Sequence, residues 1–203
     1  MNQSHKPTSY CDAVSRMEAD NLHKIYHDTA YGFPVLDDNE LFERLVLEIN
    51  QAGLSWNTIL QKQQNFKKAY SQFEVKEVAC YGEEDVTRLL QDAGIIRNRL
   101  KVHAAIYNAQ VILELQKSYG SFSAWLDHYH PLDLKDWMKL FKKTFKFTGG
   151  EIVNEFLMSI GYLDGSHVDG CPIRVNVIES DPRFLDVKED REGYLGGNIK
   201  ILC

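Results

Sequence analysis

The segment EINQAGLSW, at residues 48–56, contains residue types that could act chemically on a bound ligand. Glu48 falls at helical spacing beside Leu41 and Ala52, at the edge of an apolar helix face. A carboxylate buried there without a partner costs free energy, and a functional role would explain it. The plainer alternative is a glutamate that caps a helix or pairs with a lysine. The spacing alone leaves both open.

Three large aromatic residues accompany Glu48: Trp56 is the last residue of this segment, and Tyr26 and Tyr31 precede it in the sequence. Rings of this kind can form a slot in which a flat base stacks. In an all-helical protein, however, large aromatic side chains are more often part of the core. Both interpretations stay open on the residues alone.

Four residues could bind a metal ion. His167 and Cys171 are separated by three residues in a glycine-rich loop, GSHVDGC, and this spacing lets two ligands hold one ion. Cys11 and His27, near the other end of the chain, are candidates for the remaining ligands of a closed Cys2His2 zinc site. The alternative is a loop histidine and a small buried thiol, which the long separation of the two pairs favours.

The segment LLQDAGIIRNRLK, at residues 89–101, predicts a hairpin between two helices. Gly94 would permit a positive φ at the bend, so that backbone N–H groups point outward at the start of the next helix. With Arg97, Arg99 and Lys101 beside it, the bend could hold a phosphate. An ordinary helical corner with Gly94 as its cap is the alternative.

Helical periodicity predicts the elements that must position these residues. Asp37 and Glu40 have capping-box spacing, and Glu40 and Glu43 are expected on the solvent side of the helix that carries Glu48. Ser55 can cap the next helix, which carries Trp56. The other predicted helices lie at about 19–27, 65–72, 75–80, 83–92, 97–117, 122–129, 134–145 and 151–160. The first strand-like alternation is at 174–178, within residues 172–203, which we interpret as a C-terminal tail or surface extension.

Composition indicates one large domain or two intimately joined ones. The chain has 203 residues, of which 44% are hydrophobic, and no apolar run approaches the roughly 20 residues that cross a bilayer. Its net charge of −6 argues against a non-specific nucleic-acid binder, which is usually basic. The first residues lack the apolar segment of a secretory signal, so a cytoplasmic protein is expected.

Five segments together resemble the DNA-3-methyladenine glycosylase I family. They are YHDTAYGFP (26–34), LFERLVLEINQAGLSW (41–56), LQDAGIIRNRLKV (90–102), FKFTGG (145–150) and HVDGC (167–171). They occur in the order and at the approximate separations found in that family, and the match spans residues 11–171. The resemblance implies an all-α helix-hairpin-helix DNA glycosylase fold, with residues 1–171 as one domain of two joined helical lobes. A structural zinc would join its N- and C-terminal segments.

The same resemblance implies a function and assigns roles to residues. The protein would excise 3-methyladenine from alkylated double-stranded DNA by hydrolysing the N-glycosidic bond, and would leave an abasic site. It would act as a monomer and have no lyase activity. The implied roles are Glu48 for catalysis; Tyr26, Trp56 and Tyr31 for base binding; Gly94, Ile96 and Arg97 for the DNA backbone; and Cys11, His27, His167 and Cys171 for zinc.

Two alternatives remain. Ala13 and His23 depart from the residues that the family usually has near the pocket, so a different alkylated base is one of them. The other is a zinc-stapled DNA-binding relative without catalysis. The joint presence of Glu48, Tyr26 and Trp56 favours an enzyme, because a pure DNA binder has no need of all three.

Overall fold

A computed structural model describes residues 6–186, and within that range the protein is all-α. None of the described helices is long and apolar enough to span a membrane. The eleven α-helices of the described residues are α1 Tyr10–Val14, α2 Leu22–Thr29, α3 Asp38–Gln51, α4 Trp56–Ala69, α5 Val75–Ala79, α6 Glu83–Gln91, α7 Arg99–Tyr119, α8 Phe122–Tyr129, α9 Leu134–Thr144, α10 Gly150–Ser159 and α11 Pro172–Glu179.

Helix α3 is the centre of the fold, and it packs against α4, α7, α8 and α10. The Asp37 side chain caps it by accepting the backbone N–H of Glu40 at 2.9 Å, as the sequence predicts. The expectation that Glu43 faces solvent is wrong. Helix α4 covers this residue, and its carboxylate accepts a hydrogen bond from Gln63 at 2.8 Å and pairs with Lys67 at 3.1 Å.

The C-terminal end of α3 is held in place by a buried lysine. Lys101, on α7, donates from Nζ to the carbonyls of Asn50 at 3.0 Å and Ala52 at 2.8 Å. These carbonyls have no intrahelical partner at a helix end, so the lysine satisfies them. Gly53 then turns the chain with φ +84°, and Ser55 caps α4 as predicted. Trp56 is consequently the first residue of α4.

Several predicted boundaries differ from the structure. The helix expected at 19–27 begins at Leu22 and ends at Thr29. The helix expected at 65–72 is the second half of α4, which runs without a break to Ala69. The helix expected from Arg97 begins two residues later, because Asn98 adopts an extended conformation and its side chain accepts the N–H groups of Leu100 and Lys101.

The strand-like alternation at 174–178 is wrong as a prediction. These residues lie in α11, which begins at Pro172, where a proline is compatible with the first helical turn. The segment that follows packs on the body of the protein: Arg183 pairs with Asp127 at 2.8 Å, and the Phe184 N–H donates to the Gly161 carbonyl at 3.0 Å. Residues 187–203 of the expected tail lie outside the described range.

Candidate base pocket and metal cluster

A cavity of about 270 Å³ opens beside the C-terminal half of α3. This volume is below the range of roughly 300–1,000 Å³ that is usual for drug-sized ligands, and it suits a single flat ring. Glu48, Tyr26, Tyr31 and Trp56 all line it, so the structure brings together residues that are far apart in the sequence. The other lining residues are Tyr10, Gln51 and Glu155.

Glu48 is the buried carboxyl of this cavity, with 5% of its surface exposed. Burial, together with the negative charge of Glu155, raises its pKa to about 8, while Arg44 acts in the opposite direction. Arg44 does not neutralise the carboxyl by a direct bond, because its guanidinium donates to the Ala30 carbonyl and to Glu40. Glu48 thus stays available to a ligand that enters the cavity.

The aromatic residues form the other walls. The ring centre of Tyr26 lies 5.1 Å from that of Trp56 and 5.6 Å from that of Tyr31. The hydroxyl of Tyr26 and the indole Nε1 of Trp56 are buried and have no hydrogen-bond partner among the described residues. Buried polar groups are normally paired, and unpaired ones near a cavity indicate a site where a ligand completes the hydrogen bonds.

Tyr10 is a wall residue that the sequence analysis missed. Its ring contacts Tyr31 edge-on at 5.8 Å, and its hydroxyl lies 3.1 Å from Nδ1 of His23. Neither Ala13 nor His23 is among the residues that line the cavity. His23 therefore reaches the pocket only through Tyr10. The adjacency of Tyr10 to Cys11 was the one signal that could have identified it.

Glu155, on α10, was also missed. In the sequence it is an acid next to Phe156 in a helix whose other face is apolar, which is unremarkable on a surface. In the structure it is half-buried, and the Tyr31 hydroxyl donates to its Oε2 at 3.1 Å. Burial raises the pKa of Glu155, while the hydrogen bond from Tyr31 acts to lower it.

The four predicted metal ligands come together in the structure. The ligand atoms of Cys11, His27, His167 and Cys171 all lie within 4.8 Å of one another, and all four residues are buried. The Cys171 Sγ is 3.5 Å from Nδ1 of His167 and 3.7 Å from Nε2 of His27. Two ligands of one tetrahedral zinc stand about 3.6 Å apart when the Zn–S and Zn–N bonds have their usual lengths. The donor set and its spacing therefore fit a bound metal ion.

In each histidine, the outer ring nitrogen, which points away from the cluster, supports the same conclusion. Nε2 of His167 lies 2.8 Å from the Tyr31 carbonyl, and Nδ1 of His27 lies 2.7 Å from the Asp28 carboxylate. Each acceptor holds the proton on the outer nitrogen, so the inner nitrogen presents a lone pair to the cluster. This arrangement is typical of histidines that bind metals.

The cluster and the cavity share the turn that follows α2. Tyr31 accepts from His167 through its carbonyl and donates to Glu155 through its hydroxyl. Gly32 has φ +88°, and a Cβ there would stand 2.3 Å from the Ser166 Oγ. Its N–H donates to the Ser159 carbonyl at the end of α10. Only glycine fits at this point, where the turn after α2 meets the loop that contains Ser166, so the position of the turn is closely fixed.

The hairpin lies between α6 and α7, at the other side of the Trp56 helix. Gly94 is required for a reason other than the one expected, because its φ is not positive. A Cβ at this position would meet Asn65 at 3.1 Å. Lys62 donates to the carbonyls of Ala93 at 2.9 Å and Gly94 at 3.1 Å. Arg97 is exposed beside this anchored loop, and Ile96 is half-buried.

A larger cleft of about 610 Å³ lies on the opposite side of Tyr26, between α2, α3 and α4. It is polar, and its main charged groups already have partners: Arg44 pairs with Glu40, and Lys67 pairs with Glu43. We place the candidate site in the smaller cavity, because that cavity contains the unpaired buried polar groups.

Comparison with known proteins gives a consistent result. A family model described as methyladenine glycosylase matches residues 16–137. The chain is 36% identical over 180 residues to DNA-3-methyladenine glycosylase 1 of Escherichia coli (strain K12), covering 79% of this chain and 94% of that protein. It is 32% identical over 170 residues to DNA-3-methyladenine glycosylase of Haemophilus influenzae, covering 74% of this chain and 91% of that protein.

Solved structures of similar proteins have the same fold. One is a variant of 3-methyladenine DNA glycosylase I in complex with 3-methyladenine, with a TM-score of 0.69, 32% identity, and coverage of 77% of this chain and 94% of that chain. Another is 3-methyladenine DNA glycosylase I from Staphylococcus aureus, with a TM-score of 0.69, 32% identity, and coverage of 77% and 93%. The expected all-α glycosylase fold is confirmed.

The pKa of Glu48 predicts how stability depends on pH. This pKa is raised from 4.5 to about 8, so the folded protein retains a proton that the unfolded chain loses between these values, and folding becomes less favourable as pH rises through that window. Glu48→Gln, which is neutral throughout, should match the wild type near pH 4 and exceed its free energy of unfolding above about pH 8, by up to roughly 4 kcal/mol.

Urea unfolding at several pH values measures this difference. Glu18→Gln is the matched control, because Glu18 is exposed and its substitution should leave the pH dependence unchanged. A constant difference between Glu48→Gln and the wild type from pH 4 to about pH 9 would contradict the raised pKa.

Proposed function

This chain belongs to the methyladenine glycosylase family, and from that premise we propose that it is a DNA base-excision repair glycosylase that hydrolyses the N-glycosidic bond of 3-methyladenine in alkylated DNA. The observation that carries the proposal is the buried carboxyl of Glu48 in a cavity lined by aromatic rings. The solved relative that binds 3-methyladenine supports the choice of base.

The chemistry of the substrate explains why such a cavity would suffice. Adenine methylated at N3 is a cation in DNA, so its glycosidic bond is already weak and the base leaves readily. The enzyme must first rotate the nucleotide out of the duplex, at a cost of roughly a few kcal/mol. Stacking of the base in a narrow cavity lined by aromatic rings offsets part of this free-energy cost. Cation–π attraction favours the alkylated base over a neutral one.

We assign the residue roles accordingly. Tyr26, Trp56 and Tyr31 contact the faces and edges of the flipped base. The Glu48 carboxylate accepts hydrogen bonds from the base and stabilises its positive charge while water attacks the sugar carbon. The residues that line the cavity include no lysine that could form a Schiff base with the sugar, so we propose a monofunctional hydrolase that leaves an abasic site.

We further propose that the metal is a structural zinc, held by Cys11, His27, His167 and Cys171. A set of two thiolates and two imidazoles suits zinc, and four protein ligands leave no open position for chemistry. The zinc would stabilise the contact between the N-terminal helices and the segment after α10. The catalytic residues act without it.

We propose that the hairpin binds the DNA backbone through Gly94, Ile96 and Arg97. Its carbonyls accept from Lys62, and the Gly94 N–H donates to the Asp92 carboxylate at 2.7 Å, so the exposed guanidinium of Arg97 is the main group proposed for phosphate binding. We also propose that the protein is a cytoplasmic monomer, with residues 1–171 as one domain of two lobes and residues 172–203 as its extension.

The proposed reaction predicts release of 3-methyladenine from methylated duplex DNA. Glu48→Gln should lower the single-turnover excision rate by about 10- to 100-fold, because a charge-assisted hydrogen bond contributes roughly 1.5–3 kcal/mol. Chromatography of the released bases measures both the rate and the identity of the base, so it also detects preference for a different alkylated base.

Binding to abasic DNA is the control for this experiment. Glu48→Gln should bind such DNA as well as the wild type does, because an abasic site places no base in the cavity. If the wild-type protein binds abasic DNA and frees no alkylated base, the protein is a DNA-binding relative without catalysis and the proposed function is wrong.

The zinc proposal predicts about one zinc per chain by elemental analysis. Cys171→Ser should lose the metal and unfold at a lower temperature, because two histidines and a thiolate then remain clustered without their ion. Cys80→Ser is the matched control, since Cys80 is an exposed thiol outside the cluster. Wild-type protein purified without chelators and found to contain no zinc would refute the proposal.

The hairpin proposal predicts that Arg97→Ala weakens binding to duplex DNA of any sequence. The slope of log affinity against log salt should fall by about 1, as expected for the loss of one phosphate contact. Lys117→Ala, at the other end of α7, removes the same charge far from the hairpin and should leave the slope unchanged. Equal slopes for both variants and the wild type would exclude the assigned phosphate contact.

A further inference from the structure

We propose that Glu155 determines the specificity of the cavity, and that Glu48 and Glu155 together make it select a base that carries a positive charge. This inference rests on the proposed function, since it specifies which property of the base the cavity recognises. It assigns a role to a second carboxylate that the glycosylase mechanism above does not require.

The position of Glu155 is fixed by a single hydrogen bond. The Tyr31 hydroxyl donates to Oε2 at 3.1 Å, and Tyr31 is itself held at its carbonyl by His167. Glu155 therefore cannot swing freely into solvent as an ordinary helical glutamate does. Its side chain is one wall of the cavity, and Glu48 is another.

Among the described residues that line the cavity, none is a cation that could balance the two acids. The seven lining residues are four aromatic residues, one amide and the two glutamates. Arg44 is a nearby cation, but it does not line the cavity, and its guanidinium donates to the Ala30 carbonyl and to Glu40. With no ligand bound, the cavity thus holds an excess of negative charge.

Protonation of Glu48 relieves the repulsion between the two carboxylates when no ligand is bound. The negative charge of Glu155 and burial together raise the pKa of Glu48 to about 8, so Glu48 is mostly protonated at neutral pH. The other groups that face the pair are Tyr10 from α1, Tyr26 from α2, Tyr31 from the turn, Arg44 from α3 and Glu151 from the preceding turn of α10.

A cationic ring can replace that proton. When a purine alkylated on a ring nitrogen enters as a nucleotide, its positive charge balances one carboxylate, and the proton of Glu48 leaves to water. A neutral base brings no such compensation, so it must enter against the repulsion or leave Glu48 protonated. The cavity would therefore discriminate by charge in addition to shape.

A purely structural role for Glu155 would be to anchor Tyr31. Glu155→Gln separates the two roles, because the amide oxygen still accepts the Tyr31 hydrogen bond while the charge is lost. Glu18→Gln removes the same charge at an exposed position outside the cavity and serves as the matched control.

Binding of two small purines tests charge selection without catalysis. The probes are the 1,9-dimethyladenine cation and neutral 9-methyladenine, and their binding can be followed by isothermal titration calorimetry. We expect the wild type and Glu18→Gln to favour the cation by about 10-fold or more, and Glu155→Gln to reduce that ratio several-fold. An unchanged ratio in Glu155→Gln would overturn the proposal.

The pH profile of base release provides a second measurement. With Glu155→Gln, the acid limb of the single-turnover rate on methylated DNA should move to lower pH, because Glu48 then ionises more easily. If Glu155→Gln leaves the pH profile in the same place as the control Glu18→Gln does, the electrostatic coupling of Glu48 and Glu155 is contradicted. If the probes show charge selection and no base is released, the proposed function fails and the inference about the cavity stands.

Discussion

The contact between the two ends of the described chain is the constraint on which the pocket depends. Tyr26, Tyr31 and Leu60 form a small buried cluster that is separate from the main core, so the N-terminal helices have little apolar packing of their own. The four cysteine and histidine residues join these helices to the segment after α10. Because Tyr31 lies directly against His167, the same contact that closes the fold also sets one wall of the cavity.

Burial of the Glu48 carboxyl costs free energy, which interactions elsewhere in the fold must offset. Burial and a like charge oppose its ionisation, and within residues 6–186 no hydrogen bond to its carboxyl compensates. The helix that carries it is stabilised elsewhere: Leu41, Leu45 and Ile49 are fully buried, and Lys101 satisfies the carbonyls at its end. A rigid central helix can therefore hold an unfavourable group in place, which is how preorganised sites are generally built.

Several features were predictable because they depend on local rules. The caps at Asp37 and Ser55 follow from the side chains that accept the first free N–H groups, and most helix positions follow from apolar periodicity. Tyr10 and Glu155 were not predictable in this way, because each reaches the cavity through contacts between segments far apart in the chain. Gly94 shows the same limit: the sequence predicts a positive φ there, whereas the structure limits the space for a side chain through the neighbouring Asp92 and Asn65.

The distribution of charge addresses how an acidic protein could act on DNA. The net charge is −6, and the cavity itself contains two glutamates, so the phosphate backbone is repelled from the place where the base must go. The exposed Arg97 and Arg99 lie at the hairpin, which contacts α4 through Lys62 and does not line the cavity. Under the proposed function, the backbone is attracted to the hairpin while only the flipped base enters the acidic cavity. The anionic backbone and the cationic base would thus contact different surfaces of the protein. A surface of one uniform charge, whether basic or acidic, could not attract both.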